Sequence, residues 1–201
     1  MVATQRAEQA RSRESRRRIL DAALDILVTE GYAAATTVRI QQEAGVSRGK
    51  LLHHFPSRDA LLVAAVHHLA EERVRAQRDR TDWPDGPDER IDAAVASMWA
   101  TYAQPYFWAS MELWIAARTH KELRAALPPE EHAIGQLVRT ATDNFFGPTL
   151  TARPQYTALR ELLNTSMRGV ALTYAITPRN PATDPHLQQW QALARQQLAT
   201  D

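Results

Sequence analysis

Cysteine is absent from all 201 residues. That removes disulfides, thiolate metal sites and cysteine nucleophiles, and nothing points to an oxidising compartment. No apolar run approaches the roughly 20 residues that span a bilayer, and the polar N-terminus lacks the apolar core of a signal peptide. The expectation is a soluble, cytoplasmic protein without a membrane partner. No stretch alternates apolar and polar residues with β-branched enrichment, so strands are not expected, and there is no internal repeat. A Gly-rich phosphate loop after a strand, a Gly-x-Ser-x-Gly elbow and a metal box are all missing, which argues against an enzyme and against a cofactor. His53-His54 and His67-His68 are adjacent pairs. Neighbouring side chains on a helix point about 100° apart, so neither pair chelates alone. Lysine is scarce as well, 2 residues against 22 arginines.

What is present is an ordinary globular composition, 44% apolar and 23% charged, with a net charge of only +1. The distribution says more than the total. Residues 1–58 hold ten Lys/Arg against six Asp/Glu, a balance of +4. Residues 59–201 hold fourteen against seventeen, a balance of −3. A basic head on a mildly acidic body is the charge footprint of a nucleic-acid-binding domain, although a solvated basic surface has the same signature.

Residues 1–15 carry Arg6, Arg11 and Arg13 without an apolar stripe and read as a disordered basic arm. Ile19, Leu20, Ala23, Leu24, Leu27 and Val28 then repeat with helical period, predicting a first helix over 16–30 that stops at Gly31. Thr36 or Thr37 caps a second helix, 37–44, with Val38, Ile40 and Ala44 facing inward, ended by Gly45. Ser47 caps a third over 47–53. Two short helices joined by a three-to-four-residue turn containing Gly are the sequence form of a helix-turn-helix. Ser57 caps a fourth helix, 57–80, with Asp59 in its first turn. Trp83-Pro84-Asp85-Gly86-Pro87 breaks the pattern. Further helices follow over 89–103 (capped by Asp88), 105–118, 120–127 (ended by Pro128-Pro129), 130–146 (ended by Gly147-Pro148), 155–176 and 185–199.

The segment Thr36-Thr37-Val38-Arg39-Ile40-Gln41-Gln42-Glu43-Ala44-Gly45-Val46-Ser47-Arg48-Gly49-Lys50-Leu51-Leu52-His53-His54-Phe55-Pro56-Ser57-Arg58 resembles the DNA-binding head of the TetR/AcrR regulators, and the likeness extends over about 16–62. It implies an all-α fold: an N-terminal three-helix helix-turn-helix head over 16–60 and a helical ligand-binding and dimerisation body over 61–201. The implied function is a ligand-responsive regulator, a repressor that binds palindromic double-stranded operator DNA as a homodimer and is released by a small-molecule effector. The sign of the ligand response is open. The alternative is a helical ligand-binding or interaction protein whose head does not bind DNA.

A recognition helix must bury one face and offer the other to the major groove. On residues 47–54, Val46, Leu51 and Phe55 form the buried set, while Ser47, Arg48, Lys50 and His53 point outward. Arg and Lys there can donate to guanine O6 and N7. Gly49 opens the backbone to close approach. His54 has its place in the resembled pattern. The resemblance puts Thr37 and Arg39 at the start of the second helix and Arg58 at the start of the fourth, as phosphate contacts. Arg16, Arg17 and Arg18 begin the first helix against its dipole, which a partner phosphate would explain. Two positions depart from the family: Leu52 replaces a usual Tyr whose hydroxyl reaches a phosphate, and Gln41 replaces a small Ala.

Residues 98–118 are rich in aromatics and methionine, as ligand pockets are. The candidate ligand-binding set is Trp99, Tyr102, Phe107, Met111, Glu112 and Trp114, with Met167 from a later helix. Plain core packing is the competing reading for each. Glu112 would meet a cationic or hydroxylated ligand or pair with an Arg. Dimerisation is expected through 155–176 and 185–199, whose apolar residues include Leu159, Leu162, Leu163, Val170, Leu187, Trp190, Leu193 and Leu198.

Overall fold

The computed structural model describes residues 2–78 and 82–198, and among them every regular element is helical. The helices are α1 (Val2–Ala34), α2 (Thr37–Glu43), α3 (Arg48–His54), α4 (Arg58–Arg78), α5 (Pro87–Thr101), α6 (Pro105–Ala117), α7 (Lys121–Thr151), α8 (Tyr156–Thr173) and α9 (Pro185–Gln197), with a 3-10 turn at Pro181–Thr183. The all-α expectation agrees with this. Positions 79–80 of the expected fourth helix and 199 of the last lie outside the described residues.

The turn chemistry read from the sequence explains most boundaries. Thr36 accepts a hydrogen bond from the Arg39 amide at the start of α2, Ser47 from Lys50 at the start of α3, and Ser57 from Ala60 at the start of α4. Each such cap contributes about 1 kcal/mol. Gly31, Gly45 and Gly147 all take positive φ, where other residues are strained.

Four expectations need correction. Residues 2–15 are not a disordered arm but the first turns of α1. They hold no Gly or Pro, and Arg13 bonds back to the Gln9 carbonyl. Arg17 and Arg18 are therefore mid-helix and do not oppose the dipole of a helix start. The Pro128-Pro129 pair does not end a helix, since α7 runs through it and leaves helical geometry only at Gly147. Proline's fixed φ is helical, although each ring removes a donor and crowds the carbonyl four residues back. Leu123, Leu127 and Ile134 keep one buried stripe across the pair. At α5, Gly86 is the N-cap and Pro87 opens the helix, which leaves Asp88 in the first turn. In α2, Ile40 and Ala44 are buried but Val38 is 57% exposed. Val38 lies about 200° around the helix from Ile40, on the opposite side.

The chain forms two compact units: 1–72 with 108–134, and 73–107 with 135–201. In the first, α1, α2 and α3 pack together over Ile19, Leu20, Leu27, Ile40, Leu51 and Phe55, all buried. In the second, α9 packs on α5 and α8, around buried Ile91, Met98, Trp99, Leu163, Met167, Trp190 and Ala194. These units do not coincide with a cut between residues 60 and 61. Segment 108–134 joins the first unit through contacts far apart in sequence, such as Glu112 with Tyr32.

Candidate nucleic-acid interface

Helix α3 has two faces. Leu51 and Phe55 are buried and Val46 is half-buried beside them, while Ser47, Arg48, Gly49, Lys50 and His53 are exposed. The spacing of Leu51 and Phe55, four residues apart, sets this division. A Cβ placed on Gly49 would meet nothing within 4 Å, so its bareness serves no packing inside the chain. Leu52 is 46% exposed, an apolar group on the same open surface. His54 is half-buried. Burial pushes its imidazole below the usual histidine range, and neighbouring His53, Arg16 and Lys50 push the same way.

The remaining expected DNA contacts are engaged within the protein. Arg18 donates through Nη2 to the carbonyls of Ala44 and Gly45 and so closes the turn between α2 and α3. Arg17 bridges Glu14 and Asp21 along α1. Arg39 pairs with Glu30 at 3.1 Å on an exposed surface, and that hydrogen bond raises its already high pKa. Thr37 is half-buried at the first position of α2. Arg58 lies over the Tyr32 ring, 4.1 Å from its centroid, with Nε 3.3 Å from Asp59. Arg16 lies over Phe55 at 5.2 Å.

The seven candidate ligand residues are divided between the two compact units. Trp99, Tyr102, Phe107 and Met167 belong to one compact unit, and Met111, Glu112 and Trp114 to the other. Trp99 is buried against Tyr102, Tyr174 and Trp190, with its indole N–H on the Pro181 carbonyl at 2.8 Å. Tyr102 packs edge-on to Phe107 and donates to the carbonyl and side chain of Asn164. Burial drives its phenol far above the usual range. Met167 and Met111 are buried and Trp114 half-buried. Glu112 accepts the Tyr32 amide through Oε2 at 3.1 Å, just past the left-handed Gly31, and no Arg pairs with it among the described residues.

Residues 19–65 match the family described as "Bacterial regulatory proteins, tetR family". The regulator CymR of Pseudomonas putida is 29% identical over 127 residues, covering 63% of this chain and 63% of its own. The regulator BetI of Brucella suis biovar 1 is 30% identical over 114 residues, 56% of this chain and 58% of its own. The chain thus spans less than two thirds of these relatives' length. Over residues 19–65 the chain is similar to the TetR family. The fold likeness is broader: a transcriptional regulator from Rhodococcus sp. Rha1 superposes with a TM-score of 0.68 at 20% identity, covering 90% of this chain and 96% of its own. The multidrug binding protein EbrR complexed with ethidium does so at 0.65 and 22%, covering 92% and 99%.

Three features of this chain escaped the sequence reading. One is the Arg18 brace, which no local pattern distinguishes from its two arginine neighbours. The second is a cleft of about 360 Å³ lined by Tyr32, Ser57, Arg58, Asp59, His120, Glu122 and Ala126. There the Tyr32 hydroxyl donates to Asp59 at 2.9 Å and the Tyr32 ring meets His120 edge-on. The third is Asp184, fully buried, which caps α9 and accepts from the Tyr174 hydroxyl at 2.6 Å and from His186. Burial pushes its carboxyl up, but the bonds from Tyr174 and His186 outweigh that and hold it below its ordinary value. The bond distances themselves, rather than any motif, reveal these groups.

Proposed function

We propose that this chain is a ligand-responsive transcriptional repressor that binds a palindromic operator as a homodimer and leaves it when a small-molecule effector binds. In this reading residues 16–60 are the DNA-binding head and 61–201 the ligand-binding and dimerisation body. The observation that carries it is the exposed Ser47, Arg48, Lys50 and His53 face of α3, seated on buried Leu51 and Phe55. Lys50 and Arg48 read base edges, and the Ser47-capped helix start faces phosphate. Because Arg18 and Arg58 are braced inside the head, more of the backbone grip falls to Arg39, which exchanges Glu30 for a phosphate, and to the Ser47-capped helix start. Arg58 reaches a phosphate only on leaving Tyr32 and Asp59.

A dimer supplies what one short head lacks, two recognition helices about 34–36 Å apart reading one palindrome. Its surface is α8. Leu159, Leu163, Trp190 and Leu198 are core, but Leu162, Leu172 and Ile176 are exposed, with Ala158, Thr165 and Gly169 between them on the same side. A Cβ on Gly169 meets nothing within 4 Å, so Gly169→Arg leaves the protomer intact and blocks that face. Light scattering on this variant is expected to show monomer; an unchanged dimer overturns the assignment. EbrR is named as a multidrug binding protein, in keeping with an aromatic effector site in the body here, where Trp99, Tyr102, Phe107 and Met167 cluster.

The deciding experiment is a gel shift with the DNA upstream of the chain's own gene. A specific complex whose affinity falls steeply with salt is expected, because phosphate neutralisation releases counterions. Absence of a specific shift on any genomic fragment overturns the repressor reading. It would favour a helical ligand-binding protein without DNA activity, a reading that exposed Leu52, in place of the family's Tyr, keeps open.

A further inference from the structure

The loop before α5 and the kink in α7 line an open cavity of about 450 Å³ that neither the head nor the aromatic cluster uses. It lies inside the unit formed by 73–107 and 135–201. Pro84, Pro87, Phe146 and Leu150 make its walls apolar, while two guanidinium groups, Arg90 and Arg153, stand against one carboxylate, Asp85. Arg90 is held in place. Arg90 donates to the carbonyl of Phe145 through Nε at 2.5 Å and to that of Asn144 through Nη2 at 2.9 Å. Its guanidinium lies 4.4 Å over the Trp83 ring. Gly147, at φ +78°, lets the chain turn here; a Cβ on it would come within 3.2 Å of Arg90 Nη2. The start of α5 is not the source of the positive charge, since the Glu89 carboxylate folds back onto Gly86.

We propose that this cavity binds a small organic carboxylate with a compact apolar body, an aryl or branched-alkyl acid. The carboxylate faces Arg153, whose planar fork matches its two oxygens, and lies in the field of Arg90, whose Nε and Nη2 are bonded to backbone carbonyls. The apolar body fills the space between Pro84, Pro87, Phe146 and Leu150. The volume falls in the range of small-molecule sites, about 300–1,000 Å³. Inorganic phosphate fits worse: it leaves the apolar walls unfilled and brings a second negative charge beside Asp85. The site stands apart from operator binding and does not depend on it.

Isothermal titration of the full chain with sodium benzoate, benzyl alcohol and inorganic phosphate tests this. Benzoate is expected to bind, with benzyl alcohol and phosphate each weaker by about tenfold or more. Arg153→Gln is expected to weaken benzoate by about tenfold. Arg153 is chosen because Arg90 braces the end of the α7 helix proper, and a thermal melt checks that the variant folds. Asp85→Asn acts in the opposite direction and tightens benzoate, an effect that loss of folding cannot mimic. No heat from benzoate overturns the proposal. So does benzoate binding that neither variant alters, which would place the acid elsewhere, and so does phosphate binding as tightly as benzoate.

Discussion

Helix α3 turns Ser47, Arg48, Lys50 and His53 to solvent, whereas Trp99 in α5 and Tyr102 just after it are buried among aromatic rings, and Met167 in α8 is buried too. Both groups stand out in the sequence, one by charge and spacing, the other by aromatic density. They differ in what a side chain there does. On α3 an exposed group other than the Ser47 cap contributes almost nothing to stability and is available to a partner. Around Trp99, each ring is part of the core, so an effector there must share surface that already holds the unit together. Stability and binding should therefore separate cleanly in the head and be entangled in the body.

The sharpest test of that difference is Trp99→Ala. It removes a buried indole and its bond to the Pro181 carbonyl, and a loss of about 3–5 kcal/mol is expected in urea unfolding. A change below about 1 kcal/mol would mean the cluster is loosely packed and closer to an open pocket. Next comes Arg18→Ala, which deletes the brace on Ala44 and Gly45. A loss of about 1.5 kcal/mol is expected, together with weaker binding to all DNA sequences. If melting is unchanged and only DNA affinity falls, Arg18 is a contact residue and not a brace. Lys50→Ala should leave stability within about 0.5 kcal/mol and reduce discrimination between operator and mismatched sites by about 1–3 kcal/mol, read by anisotropy. Arg58→Ala, by contrast, should weaken every sequence alike.

Two smaller effects follow from titration. Asp184 has a lowered carboxyl pKa in the folded chain, so its contribution is present above the ordinary carboxylate range and is lost as pH falls through the folded value. Asp184→Asn should lower stability at pH 7 and flatten the acid limb of the stability profile; an identical limb in both proteins would remove the role assigned to this cap. His54 is lowered by burial and by nearby cations, so folding favours its neutral form and stability declines as pH drops below the ordinary histidine value. A phosphate at the head would offset those cations, so operator affinity should rise modestly from pH 7 to 6. His54→Asn should abolish that rise, and its persistence in the variant would point to another group.

Much of the head was legible in one dimension. Thr36, Ser47 and Ser57 cap because a hydroxyl one step before a helix satisfies an amide three residues on, and Gly31 and Gly45 stop helices because only a residue without Cβ turns there without strain. The outward face of α3 follows from the position of Leu51 and Phe55. The body was less legible. Aromatic enrichment marked 98–118, but neither the division of that segment between two units nor the placing of Leu162 outside and Leu163 inside is a matter of composition.

Local backbone chemistry, then, is encoded within three or four residues: caps, glycine stops, the helical period and the basic bias of residues 1–58. Those pointed to an all-helical chain with a helix-turn-helix, and the resemblance to the TetR/AcrR regulators supplied the regulatory reading. Long-range partners came only with the folded chain. Glu112 meets the Tyr32 amide across 80 positions, Arg18 reaches a turn 26 positions away, and Arg90 closes the end of a helix 54 positions on. An arginine or glutamate has the same propensity whether it braces a turn, caps a backbone or waits for a ligand. What selects among these roles is which unpaired backbone group or charge the fold brings within about 3 Å.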